Sequence, residues 1–179
     1  MKSKGNFVNG MWKQGTGNAF SSFSPNDDSV IWQGNSSSQK DVSDCVILAK
    51  EAEQNWQKKT VDERISYIKE FTEIVKSNKQ KLAETISIEI GKPLWEALTE
   101  VNSVVGKLDL TVNAYKNRCS DITKEMSNGG ISRTQFKPLG TVAVIGPYNF
   151  PCHMANGHIM PALIAGNTVV FKHSEKGAM

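Results

Sequence analysis

The 179 residues are enough for one domain, or for one domain and part of another, and with 39% hydrophobic and 22% charged residues they exclude wholesale disorder. Net charge is +3, from 21 basic and 18 acidic residues spread along the chain, so no clustered basic face and no nucleic-acid partner are expected. No stretch reaches the roughly 20 apolar residues of a membrane span, and Met1 to Trp12 lacks the apolar core of a signal peptide.

Phe7 to Trp12 reads as a short hairpin around Asn9-Gly10, a dipeptide suited to the positive φ of a tight turn. Ser24 to Asp28 is a turn cluster before a strand over Ser29 to Gln33, and the polar run Gly34 to Ser38 leads into a helix. Ser38 with Asp41 suggests a helix cap, behind which Val42, Cys45, Val46, Ala49, Ala52 and Trp56 recur at helical spacing. Thr60 and Glu63 form a second capping signature, ahead of a stripe of Ile65, Ile68, Phe71, Ile74 and Val75. A third helix is expected over Gln80 to Ile90, ending at Gly91, and a fourth from Pro93 to about Arg118. These stripes are read as core rather than ligand-holding surfaces.

Beyond Cys119 the pattern changes. Met126 to Gly130 is a polar turn, and Ile131 to Lys137 alternates as a half-buried strand does. Thr141 to Ile145 and Thr168 to Phe171 are apolar runs typical of parallel strands covered on both faces, joined by a helix over Met154 to Ala165 with Pro161 inside it. This strand–helix–strand unit predicts an α/β chain. A helical and hairpin part covers 1–118, a linker and strand 119–138, and the start of a doubly wound parallel sheet 139–179.

Ligands of such sheets bind beyond the carboxyl ends of the strands. Two loops lie there: Gly146-Pro147-Tyr148-Asn149-Phe150-Pro151, and Lys172-His173-Ser174-Glu175. Asn149, held between prolines, can donate to a developing oxyanion, a contribution of about 3 kcal/mol in such sites, or can satisfy its own loop backbone. Lys172 and Glu175 can hold a nucleotide ribose or can be a surface ion pair. There is no G-x-G-x-x-G and no P-loop.

Val144 to Pro151, then Pro161-Ala162-Leu163, then Ala165 to Lys172 resemble the first cofactor-domain segment of the aldehyde dehydrogenase superfamily. Glu89-Ile90-Gly91-Lys92-Pro93 with Ala97 and Glu100 resembles that family's E-x-G-K-P helix, and Trp56 and Arg64 fall where the family has Trp and Arg. Trp32-Gln33-Gly34, His153 and Asn156-Gly157-His158-Ile159 are similar to a branch that oxidises N-succinylglutamate 5-semialdehyde in arginine breakdown. The resemblance implies an NAD-dependent oxidoreductase for an aldehyde substrate. Asn149 would donate to the oxyanion of the thiohemiacetal, and Ile145, Gly146, Pro147 and Tyr148 would line the cofactor cleft. Lys172 and Glu175 would hold the adenosine ribose, with Ser174 also in the cofactor set, and the Glu175 carboxylate would favour NAD over NADP.

The resemblance also implies that the nucleophilic cysteine and the water-activating glutamate lie beyond the segment represented here, so this chain alone is expected to be inactive. Two parallel strands and one crossover helix cannot bury a sheet, so it is also expected to be poorly soluble. Cys152 follows the Asn149 loop, where the family has other residues, and is read as a packed thiol rather than a substitute nucleophile. His173 stands where the family has proline, which predicts a looser loop. Cys45, Cys119 and Cys152 show neither metal-ligand spacing nor a disulfide framework, so no metal and a cytoplasmic setting are expected. The partner is either a downstream chain completing the enzyme or a second copy in a homo-oligomer. The alternative is a non-catalytic remnant or interaction module.

Overall fold

A computed structural model describes residues 4–178; Met1–Ser3 and Met179, the extremes of the first and last predicted segments, lie outside the described residues. The chain opens with two antiparallel hairpins. In the first, β1 (Asn6–Val8) pairs with β2 (Met11–Lys13), and Asn9 and Gly10 take φ of 51° and 76°, the turn their sequence predicts. In the second, β3 (Ala19–Phe23) pairs with β4 (Val30–Asn35) through a bulge at Ser22/Phe23. The predicted strand is therefore β4, which starts one residue later and ends two residues later than expected. Its partner β3 is an addition that the polar sequence Ala-Phe-Ser-Ser-Phe does not announce.

Four helices follow: α1 (Gln39–Lys58), α2 (Val61–Ser77), α3 (Lys79–Ile90) and α4 (Leu94–Arg118). Both predicted capping boxes form, Ser38 with Asp41 and Thr60 with Glu63, each worth about 1 kcal/mol. Thr16 adds its amide and hydroxyl to the Asp41 carboxylate, tying the first loops to α1. With the Thr16 amide leading and the Ser38 amide next, these donors hold the Asp41 carboxyl well below the usual carboxylate range. Gly91 stops α3, and Pro93 is the N-cap of α4 rather than its first residue.

The core has two centres. One joins α2, α3 and α4 through Val75, Ala83, Ile86, Ala97, Val101 and Val104; the other joins α2 and α4 to the last helix through Ile65, Ile68, Leu108, Met160 and Ile164. Burying each of the larger aliphatic side chains contributes about 1.5–3 kcal/mol. The α2 stripe departs from expectation at Phe71 (43% exposed) and Ile74 (63%), which the neighbouring helices leave uncovered. Likewise α1 buries no side chain completely.

A third hairpin, β5 (Ile122–Glu125) with β6 (Ile131–Thr134), is exposed at every position. The half-buried strand expected over Ile131 to Lys137 is thus shorter and uncovered, and its alternation has no core to face. Last comes the strand–helix–strand unit: β7 (Thr141–Ile145), α5 (His153–Ile164) and β8 (Thr168–Lys172), with β7 and β8 parallel and in register from Thr141↔Thr168 to Ile145↔Lys172. Expected to be covered on both faces, these strands are buried only at Val144 and Thr168, and Ile145 is 79% exposed. Asn167 locks their starts together: its Oδ1 accepts from the Leu139 and Gly140 amides at 2.7 and 3.0 Å, and its Nδ2 donates to the Ala162 carbonyl at 3.1 Å.

Candidate functional site

The two predicted loops leave the carboxyl ends of adjacent strands and meet. The Gly146 amide donates to the Lys172 carbonyl at 2.9 Å, and the Lys176 ammonium lies 5.1 Å from the centre of the Tyr148 ring. A side chain at Gly146 would meet the Phe171 ring at 2.9 Å, so only glycine lets the first loop turn this close to β8. Ile145, Pro147, Tyr148 and Asn149 are exposed while Gly146 is buried, which leaves the backbone of the first loop open along one side.

Asn149 is held through its main chain. Its carbonyl accepts from Lys92 Nζ at 2.8 Å, and the same ammonium donates to Glu100 Oε2 at 2.8 Å. It also sits 4.1 Å from the centre of the Phe150 ring. The Asn149 carboxamide makes no hydrogen bond among the described residues, so it does not satisfy the loop backbone. Glu100 is 3% exposed, and its Oε1 accepts from the Cys152 and His153 amides at 3.0 and 3.1 Å. A buried carboxylate thus occupies the N-terminal end of α5, where the helix dipole and orphan amides favour an anion. At the other end, Arg64 Nε donates to the Ile164 carbonyl and Trp56 Nε1 to the Leu163 carbonyl, both at 2.9 Å. The E-x-G-K-P segment, Trp56 and Arg64 therefore support α5 and the loop leading into it. Spacing hid this, because Lys92 and Glu100 are eight residues apart, while their targets lie more than fifty residues downstream.

Cys152 is the N-cap residue of α5, yet the dipole does not activate it. Burial, then the Glu100 and Glu89 carboxylates, push its thiol up to about 12 against the opposing pull of Lys92. It packs beside the first core centre as an inert thiol. Cys45 and Cys119 are also free and half-buried.

Lys172 and Glu175 form an exposed pair at 3.3 Å. A hydrogen bond to its own backbone amide, then Lys172, hold the Glu175 carboxyl below its ordinary range. In place of the expected proline, His173 Nδ1 lies 2.6 Å from the Ser174 carbonyl. Ser174 Oγ accepts from the Lys176 amide at 3.2 Å, and the Gly177 amide closes a turn on the Ser174 carbonyl. These are local bonds within the segment that His173 was expected to loosen. The donor set suits a nucleotide: one ammonium and one carboxylate match the acceptor and donor faces of a ribose diol. Two cavities lie elsewhere. One of about 440 Å³ is lined by Leu48, Trp56 and Thr168, the other of about 370 Å³ by Leu110, Tyr115 and Pro161, and neither reaches Asn149 or Lys172. Among the described residues no helix is long and apolar enough to cross a membrane.

Residues 12–179 match the sequence profile of the aldehyde dehydrogenase family. The chain is 42% identical over 175 residues to the N-succinylglutamate 5-semialdehyde dehydrogenase of Legionella pneumophila (strain Corby), covering 98% of this chain and 35% of that protein. Identity is 46% over 169 residues to the protein of the same name from Paraburkholderia xenovorans (strain LB400), covering 94% and 34%. Among solved structures, the NADP-dependent glyceraldehyde-3-phosphate dehydrogenase of Bacillus halodurans C-125, complexed with NADP, is similar with a TM-score of 0.88 at 29% identity, over 95% of this chain and 37% of that one. The chain thus spans about a third of the length of the curated relatives it matches.

Proposed function

Because this chain belongs to the aldehyde dehydrogenase family, we propose that it supplies the oxyanion donor and the adenosine end of the cofactor cleft to an NAD-dependent oxidation of a semialdehyde. The observation that carries the reading is Asn149: its main chain is clamped, while its carboxamide is exposed and makes no hydrogen bond among the described residues. A donor whose main chain is fixed before the reaction needs less reorganisation to stabilise developing negative charge. Ile145, Gly146, Pro147 and Tyr148 line the adjoining cleft, and Lys172 and Glu175, with Ser174 in the same turn, hold the ribose of the cofactor. When bound, the cofactor supplies the hydride acceptor. The Glu175 carboxylate opposes a 2′-phosphate and so favours NAD, although one structural relative is an NADP complex.

The named function of the curated relatives makes N-succinylglutamate 5-semialdehyde the substrate of choice, and with it a step in arginine breakdown. Cys152 is unsuited to attack at neutral pH, so this reading assigns the thiolate nucleophile, and with it the water-activating glutamate, to the part of the relatives' length that these 179 residues do not span. A downstream chain or a second copy would cover apolar side chains such as Leu110 and Ile145, which are 65% and 79% exposed. Three free thiols suit the reducing cytoplasm.

The test is NADH formation from NAD and N-succinylglutamate 5-semialdehyde, by the chain alone and mixed with a chain carrying the remaining two-thirds of a relative. Turnover is expected only in the mixture and is lost with Asn149→Ala. Turnover by the chain alone overturns the reading. Stable binding without turnover favours an interaction module.

A further inference from the structure

We infer that Lys92 and Glu100 act together as positioning residues that aim the Asn149 carboxamide. The inference rests on the reading of Asn149 as an oxyanion donor, but its physical basis is separate. The Lys92 and Glu100 side chains are 7% and 0% exposed, so their ion pair is sealed from water. An ammonium has three protons to donate. One goes to Glu100 and one to the Asn149 carbonyl, both at 2.8 Å, while Glu96 Oε1 stands at 3.8 Å.

The other half of the pair grips the chain just beyond. Glu100 Oε1 accepts from the amides of Cys152 and His153. The main chain is therefore held by the cation at Asn149 and by the anion three and four residues later, with only Phe150 and Pro151 between. Phe150 lies under the same ammonium, and Pro151 has a fixed φ. Nothing in the Asn149 side chain contributes to this grip, which leaves its amide free for a ligand while its Cα is immobilised. The cation is delivered rigidly as well: Ser87 Oγ donates to the Lys92 carbonyl at 2.8 Å, and Pro93 follows. Lys92 and Glu100 touch no reacting atom and act only through the backbone on either side of the loop.

Order in the Asn149 loop is the direct readout, measured by 15N relaxation on the chain itself. The wild-type Asn149 and Phe150 backbone amides should show the restricted motion of an order parameter of about 0.85. Lys92→Met leaves a buried carboxylate without its cation and risks unfolding. The double variant Lys92→Met/Glu100→Gln removes both charges while keeping an oxygen acceptor for the Cys152 and His153 amides. In it the order parameters at Asn149 and Phe150 should fall below about 0.6, with the α2 and α4 amides unchanged. Unchanged order at Asn149 in a folded double variant overturns the inference.

In the mixture that turns over aldehyde, the double variant should lower kcat by roughly tenfold to a hundredfold, the scale of a displaced reacting group, without raising KM for NAD. Lys92→Arg should recover part of the loss. A uniform fall in active fraction, with kcat per active site unchanged, also overturns it. Asn149→Ala separates the two readings. If that variant keeps full activity, the oxyanion role falls, and the loop-ordering result is judged on relaxation alone.

Discussion

Arg64 and Glu100 address opposite ends of the same helix. The guanidinium donates to the Ile164 carbonyl at the C-terminal end of α5, and the carboxylate accepts from the Cys152 and His153 amides at the N-terminal end. Both side chains are buried, and both have the sign that the helix dipole favours at that end. The arrangement accounts for α5 itself, a strongly apolar helix with Pro161 inside it and no side-chain N-cap of its own.

Arg64→Met should therefore destabilise the chain by about 2–4 kcal/mol, because it strands the Ile164 and Lys59 carbonyls that the guanidinium now satisfies. Urea unfolding followed by circular dichroism measures it. A loss below about 0.5 kcal/mol, the scale of an ordinary surface substitution, would show that the helix end does not depend on this cation.

Asn167→Leu should cost about 2–4 kcal/mol by orphaning the Leu139 and Gly140 amides. Asn167→Asp keeps the acceptor and loses only the bond to the Ala162 carbonyl, so its effect should be smaller. Equal losses in the two variants would contradict this account of how β7 and β8 are joined.

At pH 8 a thiol held near 12 is ionised in about one molecule in ten thousand, against about one in ten for an unfolded cysteine near 9. Cys152 should resist iodoacetamide in the folded chain and react once urea unfolds it. The fold favours the neutral thiol, so this contribution to stability is complete below about pH 9 and fades as pH climbs toward 12. Rapid modification of Cys152 without unfolding would refute the assignment.

Glu175→Gln should improve binding of 2′,5′-ADP relative to 5′-ADP severalfold, measured by calorimetry, because it removes the charge that opposes a 2′-phosphate. Its own backbone amide, and then Lys172, lower the wild-type carboxyl, so the carboxylate persists as pH falls through the ordinary range of about 4–5. Discrimination against the 2′-phosphate should accordingly survive to about pH 5. Its disappearance between pH 7 and 5 would point to another group.

Legibility in the sequence followed the range of the interaction. Ser38 with Asp41 and Thr60 with Glu63 are local pairs, and both capping boxes were readable. So were the Asn9-Gly10 turn and the alternation of strand and helix at β7, α5 and β8. Phe71 and Ile74 have helical period but no neighbour to cover them, a fact that periodicity alone cannot contain. Strand β5 is Ile-Thr-Lys-Glu and becomes a strand only by pairing with β6. At the candidate site the loops were readable from their position after the strands. What holds them was not, because Lys92 reaches Asn149 across 57 residues and Trp56 reaches Leu163 across 107.

Those long reaches bear on the order in which the molecule can be built. During synthesis α1 to α4 emerge well before α5, and they carry Trp56, Arg64, Lys92 and Glu100 with them. Until residues 152–165 arrive, Glu100 and Arg64 have neither amide nor carbonyl of α5 to meet and keep only their local partners, Lys92 and the Lys59 carbonyl. Once α5 arrives, both of its ends can dock on a surface already formed, so the crossover helix would set late and as a unit. An amino-acid change at Arg64 or Glu100 should consequently act chiefly on the docking of α5, and only weakly on formation of the helices that carry them.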